Sequence, residues 1–386
     1  MPFTITSKSE VLFGEHAAEQ AGERMKGLGC TKVVCIYDAG VKDAGIVDPI
    51  VESLENAGLK VVHYGGVLAD PPDTIVNECG ELARKEKVDG IVGVGGGSTL
   101  DTAKGVNVLL GNPGKIGTYF AGPDALPHKP GKPLVLIPTT SGTGSEVTYV
   151  SVITNTATKL KGGVIGPATI ASLAIVDPLL TLGMPPEITA ATGMDTFAHA
   201  LEAYTSAGNN IMSDLLAEEA IGLVARYLPK AVKNGSDVEA RTKMSFACLI
   251  AGMSFNDAIP HFGHAFAHTL GAFHHIPHGT GCAIAQPGVI EVVAGTMPKK
   301  VRRVGELMGL KPGGDLSPAR LSKQVYDRIA AFNKEVGIPT LKQLNIKESD
   351  LPAIAETMMG DVCFTGLPVK LEQQDVLKVI LRMYAL

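Results

Sequence analysis

Six of the chain's ten histidines fall between His261 and His278, in the run His-Phe-Gly-His-Ala-Phe-Ala-His-Thr-Leu-Gly-Ala-Phe-His-His-Ile-Pro-His. A buried imidazole needs partners for two ring nitrogens, so core packing does not account for such crowding, whereas a metal centre, a proton relay or both would. His264 and His268 are spaced i and i+4, which on a helix puts both side chains on one face about a turn apart. Asp195 and His199 repeat that spacing, and His278 follows a proline where the chain can turn back. Three or four neutral imidazoles with one carboxylate make a borderline site suited to Fe(II) or Zn(II), not to calcium or magnesium, which prefer all-oxygen shells. Taken alone, Asp195 and His199 read as a hydrogen-bonded pair on a helix surface. Spacing also leaves His264, His268, His274, His275 and His278 all open as ligands. Cys282 and Cys363 read as small buried residues. Glu202, one turn beyond His199, reads as a solvated helix-face glutamate, with orientation of a ligand as the alternative.

A second chemistry is written in the first half. Gly90-Ile-Val-Gly-Val runs directly into Gly95-Gly96-Gly97-Ser98-Thr99-Leu100-Asp101. Strand, glycines and helix start in that order make a phosphate cradle, because glycine lets backbone N–H groups approach an anion and the helix N-terminus faces it with partial positive charge. The glycines are not the Gly-x-Gly-x-x-Gly fingerprint, and a tight turn can hold them for geometric reasons alone. Leu134 to Pro138 is another apolar strand, and it empties into Thr139-Thr140-Ser-Gly-Thr143-Gly-Ser145-Glu, a second loop able to hold phosphate or ribose. Asp38, after the first strand, is placed to accept from a ribose diol and to repel a 2′-phosphate, although a plain turn residue is the alternative. Together these favour NAD over NADP.

The elements that must position these residues follow from periodicity. Lys32 to Tyr37, Lys60 to Tyr64 and Gly90 to Val94 read as strands, with helical segments at Val47 to Ala57 and Thr74 to Lys87 between them, which is βαβ grammar. Residues 111–133, rich in Gly, Pro and Lys, read as a surface loop or hairpin. Ala174 to Pro178 reads as the last strand, and Leu182 to Pro186 as a linker. From Glu187 the texture changes to long 3.6-residue periods at Glu187 to Ser206, Ser213 to Lys233, Val238 to Phe255 and Leu321 to Val336. The expected organisation is a parallel-sheet α/β domain over residues 1–184 and a helical domain over 185–386.

At 386 residues and 45 % apolar composition, the chain can build both cores. A net charge of −5 argues against nucleic acid or an anionic membrane as the main partner, and leaves a small molecule. The six cysteines show no Cys-x-x-Cys pair and read as reduced. The N-terminal residues carry no leader pattern and no apolar run is long enough to span a bilayer, so the expected location is cytoplasmic.

Four motifs carry a resemblance that spans the chain from Lys32 to about Asp361. Gly95-Gly-Gly-Ser98 with Asp101, Pro138-Thr-Thr-Ser-Gly-Thr-Gly-Ser-Glu146, Ala191-Thr-Gly-Met-Asp195-Thr-Phe-Ala-His199, and His264-x-x-x-His268-x-x-Gly-Ala-Phe-x-x-x-Pro-His278-Gly279 resemble the iron-dependent (group III) alcohol dehydrogenases. The resemblance implies a Rossmann-like N-terminal domain, an all-helical C-terminal domain in a dehydroquinate synthase-like architecture, and an active site in the cleft between them. It makes Asp195, His199, His264 and His278 the metal ligands and puts His268 beside nicotinamide and substrate. To the cofactor it assigns Asp38, Asp70, Gly97, Ser98, Thr139, Thr140, Thr148 and Lys161. The chain departs from the family pattern at Pro260 and His261, and again at Leu367-Pro368 where Asn-Pro is common. Both segments resemble substrate-pocket walls. His261 itself reads as a surface or capping histidine, or as a contact for an anionic substrate group.

The expected activity is an NAD- and iron-dependent interconversion of a small alcohol with its aldehyde or ketone, Zn2+ being the alternative metal, in a homodimer or larger homo-oligomer. In it the metal acts as Lewis acid and His268 handles the proton. A glycerol-type dehydrogenase or a lyase of the same architecture is the nearest rival, and a non-catalytic metal-binding protein is a more distant one.

Overall fold

Val33 to Ile36, Ile91 to Val94 and Leu134 to Ile137 show no polar face, the pattern of strands covered by helices on both sides. The computed structural model, which describes residues 9–386 except Pro123, Lys159 and Asp315, contains eight strands: β1 (Glu10–Phe13), β2 (Lys32–Asp38), β3 (Lys60–Val67), β4 (Gly90–Gly95), β5 (Leu134–Pro138), β6 (Val150–Asn155), β7 (Leu160–Ile165) and β8 (Leu173–Val176). Six of them form one parallel sheet in the order β1-β8-β5-β4-β2-β3, while β6 and β7 form a separate antiparallel pair.

Helices α1 (Ala21–Gly27), α2 (Ala39–Asp43), α3 (Val47–Asn56), α4 (Asp73–Lys85) and α5 (Gly97–Gly111) belong to the same unit. Strand alternation sorts the core into two layers. Val34, Ile36, Ile91 and Leu136 pack with Val76 of α4 and Leu100 and Ala103 of α5. Val33, Cys35, Val94 and Ile137 pack on the opposite face with Met25 of α1 and Leu54 of α3. Strand β8 lies inside the sheet, between β1 and β5. The described residues between 112 and 133 are largely irregular, as read from the sequence, with a 3₁₀ turn at Ile116–Tyr119 and a bridge from Phe120 to Val164.

The remaining chain is helical: α6 (Pro186–Thr205), α7 (Ile211–Lys233), α8 (Val238–Phe255), α9 (Phe262–His274), α10 (His278–Val293), α11 (Pro298–Leu307), α12 (Pro318–Glu335), α13 (Leu351–Met358) and α14 (Gln373–Tyr384). Proline at the first position of α6, the Asn210–Ser213 capping box on α7 and the Asp237 cap on α8 set their starts. The fully buried Arg241 of α8 donates to the carbonyls of Gly235 and Met184 and to Thr189 Oγ1, tying α8 to the start of α6. This second unit comprises Met184–Leu386 and also Ser141–Thr143, the tip of the loop after β5. No helix among the described residues is long and apolar enough to cross a membrane.

Candidate active site

Three helices of the second unit supply the histidine centre. Helix α6 carries Asp195 and His199 one turn apart, α9 carries His264 and His268, and α10 begins at His278 and carries Cys282 a turn later. The helices approach closely because two positions have no side chain. A Cβ at Gly279 would stand 2.2 Å from the Ala191 carbonyl oxygen of α6, and one at Gly263 would stand 2.3 Å from Glu202 Oε1.

One atom gathers the cluster. Asp195 Oδ1 lies 3.5 Å from His278 Nε2, 3.8 Å from His199 Nδ1 and 3.9 Å from His264 Nε2. Asp195 Oδ1, His199 Nδ1 and His264 Nε2 are all buried without a hydrogen-bond partner. Orphaned polar atoms of this kind are costly inside a protein, and a shared divalent cation would satisfy the three at once. Burial pushes the His199 imidazole down to about 4, with Asp195 opposing, so this ring is neutral near pH 7, the state a metal requires. The donor set of imidazoles and a carboxylate therefore fits a first-row divalent ion.

Glu202 is not the solvated residue expected from sequence. It is completely buried and accepts hydrogen bonds from the backbone N–H groups of His261, Gly263 and His264, from Gln286 Nε2 and from His264 Nδ1 at 3.0 Å. Burial alone would raise its carboxyl, but the charge and hydrogen bond of His264 hold it well below the usual carboxylate range. The bond from His264 Nδ1 leaves Nε2 as the lone-pair nitrogen facing Asp195. His261 is likewise no surface residue. It occupies the N-cap position of α9, is fully buried, and pairs its Nε2 with Thr205 Oγ1 at 3.0 Å. Burial pushes its imidazole down to about 4.

His268, partly exposed, places Nδ1 2.8 Å from Asp361 Oδ2 and stacks its ring on His278, with centroids 5.2 Å apart and 22° between planes. Asp361 also accepts from the Cys363 backbone N–H at 2.8 Å. His274 lies 3.8 Å from Asp350, and His275 ends α9 in a left-handed conformation. Cys282 is buried as expected, yet its Sγ sits 3.6 Å from His278 Nε2, a proximity the sequence reading did not anticipate.

In the first unit, the nucleotide candidates collect at the C-terminal ends of β2, β4 and β5, which are neighbours in the sheet. Gly95, at φ 159°, pairs with Pro138, and the Thr139 N–H donates to the Gly95 carbonyl. Any Cβ on Gly95 would meet Thr99 Oγ1 at 2.5 Å. Gly96 stands at the N-cap of α5 with no side-chain cap, and Gly97 and Ser98 open the helix, so no side chain competes with an anion for the first-turn N–H groups. Thr140 sits beside Gly96. Asp38 accepts from Val41 N at 3.0 Å through one oxygen and from Thr99 Oγ1 at 3.1 Å through the other.

Several of the other cofactor candidates have partners within the fold. Asp101 accepts from Ser145 Oγ and Val152 N, and Thr148 Oγ1 lies 3.1 Å from the fully buried Lys104 Nζ, so these side chains bind the β5–β6 segment to α5. Burial pushes Lys104 down to about 8 and Glu146 up to about 7. Asp70, at φ 49°, is ion-paired to Lys161 of β7 at 2.7 Å. Thr143 belongs to the loop tip grouped with the helical unit, where Thr196 Oγ1 of α6 donates to the Ser141 carbonyl.

The chain thus joins a doubly covered parallel sheet with glycine-rich turns to a helical unit carrying a histidine-carboxylate cluster. Residues 189–384 match the model of the Fe-containing alcohol dehydrogenase family C-terminal region, and residues 8–178 that of iron-containing alcohol dehydrogenase. The chain is 40 % identical over 371 residues to the 1,3-propanediol dehydrogenase of Citrobacter freundii, covering 95 % of each. It is 35 % identical to the NAD-dependent methanol dehydrogenase of Bacillus methanolicus, covering 96 % of each. The solved alcohol dehydrogenase from Oenococcus oeni superposes with a TM-score of 0.94 at 34 % identity, covering 99 % of this chain and all of that one. This chain belongs to the iron-containing alcohol dehydrogenase family and is an oxidoreductase acting on CH–OH groups.

Proposed function

We propose that the protein is an NAD-dependent, Fe2+-dependent alcohol dehydrogenase and aldehyde reductase acting on a small alcohol, with Zn2+ as the alternative ion. The observation that carries this reading is the convergence of His199 Nδ1 and His264 Nε2, without partners of their own, on the unpartnered Asp195 Oδ1. Asp195, His199, His264 and His278 would hold the metal. When bound, the metal would supply Lewis-acid character that eases loss of the alcohol proton, and the nicotinamide would supply the hydride acceptor. Glu202, accepting from His264 Nδ1, orients the ring and makes Nε2 the more basic donor toward the metal, and His268 moves the alcohol proton. In the first unit, Gly95, Gly96, Gly97, Ser98, Thr139 and Thr140 would cradle the dinucleotide phosphates, and Asp38 would accept from the ribose diol and repel a 2′-phosphate. Asp70, Asp101, Thr143, Ser145, Thr148 and Lys161 complete the cofactor side of the proposal. The reading includes a cytoplasmic, at least dimeric enzyme, and none of the six cysteines forms a disulfide among the described residues.

The relatives named for 1,3-propanediol and methanol support short alcohols as the substrate class. Anaerobically purified, Fe2+-loaded protein should oxidise NADH with short aldehydes, and should prefer NADH to NADPH. Absence of NADH oxidation across a panel of neutral and acidic short aldehydes contradicts the proposal.

A further inference from the structure

We infer that Asp361 is a positioning residue that fixes the tautomer of His268. Its carboxylate accepts Nδ1–H, which leaves the Nε2 lone pair to take the hydroxyl proton when the carbinol carbon gives up hydride to the NAD+ of the proposed reaction, and to return it when NADH reduces the carbonyl. The inference rests on the dehydrogenase reading above.

The geometry is that of a built pair. Asp361 Oδ2 is 2.8 Å from His268 Nδ1, while Oδ1 is held by the Cys363 N–H at 2.8 Å, at the cap of the 3₁₀ turn Val362–Gly366. The carboxylate is thereby aimed by its own backbone. Burial would raise the Asp361 carboxyl, and the hydrogen bond and charge of His268 outweigh this and lower it. The His268 ring is also clamped by stacking on His278, so its plane is set before substrate arrives. An imidazole with Nδ1–H bound to a carboxylate presents Nε2 as a base, and the imidazolium that forms on proton transfer is stabilised by the same carboxylate. Without Asp361, both tautomers populate and part of the enzyme offers N–H where a lone pair is needed.

Two measurements test this. In the Zn2+-loaded holoenzyme with 15N-labelled histidine, the His268 resonances, assigned with His268→Gln, should show protonated Nδ1 and unprotonated Nε2. Asp361→Asn, whose amide can donate to Nδ1, should reverse that pattern. In steady state, Asp361→Asn should lower kcat about 100-fold, the scale of a lost proton-transfer group, with the KM for aldehyde and the bound metal little changed; Asp361→Glu should recover part of the loss. Protonated Nε2 in the wild-type protein overturns the inference, as does an unchanged kcat in Asp361→Asn. An enzyme inactive on every aldehyde would contradict the dehydrogenase reading, and the tautomer spectrum would still decide the role of Asp361.

Discussion

Replacing Glu202 by alanine would strip the acceptor from five N–H donors around His264 at once. With Nδ1 unheld, His264 loses both its orientation and its tautomer, so metal affinity should fall about 10- to 100-fold, the usual effect of removing a carboxylate that supports a ligand imidazole. Competition with a chromophoric chelator measures this, and unchanged affinity would contradict it. Sequence pattern could not supply this role. Glu202 lies three residues from His199 on α6, and periodicity gives the face of a helix but not what covers that face. The glycine at 263, which lets α9 come within contact of Glu202, is the only signal in the sequence, and it becomes legible once the partner helix is known. The capping position of His261 agrees with one of its readings, while its burial was not legible for the same reason, since a histidine followed by Phe and Gly gives no sign that Thr205 meets its Nε2.

At the scale of elements, the centre depends on how closely α10 docks on α6. A Cβ at position 279 would lie 2.2 Å from one backbone atom and 2.7 Å from another, both at Ala191, and neither can swing aside like a side chain. Gly279→Ala should therefore destabilise the protein by about 2 to 3 kcal/mol, as overpacking does, and lower its Tm; thermal unfolding at the wild-type midpoint would refute the docking argument. The strands β2, β4 and β5 and the helices α3, α4 and α6 to α8 were legible because apolar runs and 3.6-residue periods are long there. The hairpin β6–β7 was not, since Gly162 and Gly163 interrupt the alternation of β7, and β1 is four residues long. His278 was read as a loop residue because Pro277 precedes it, whereas proline just before a helix start leaves the helix free to begin at His278.

Across the whole molecule, the proposed metal ligands and the turns proposed to cradle phosphate come from different units of the chain. The change of texture near Glu187 announces the second unit. The reassignment of Ser141–Thr143 to it could not be read from sequence, because it rests on the tertiary bonds from Thr196 and on the close approach of Gly142 to Thr192. Spacing alone left five histidines open as ligands; the family resemblance singled out His264 and His278, and these two lie within 4 Å of Asp195 Oδ1 whereas His274 lies beside Asp350. The most direct test is elemental analysis of wild-type protein and His264→Ala after anaerobic loading with Fe2+ and removal of free metal. Stoichiometric iron in the wild type and its loss in the variant, together with loss of NADH-linked turnover, is the result expected; full metal retention in His264→Ala would contradict the metal centre described above.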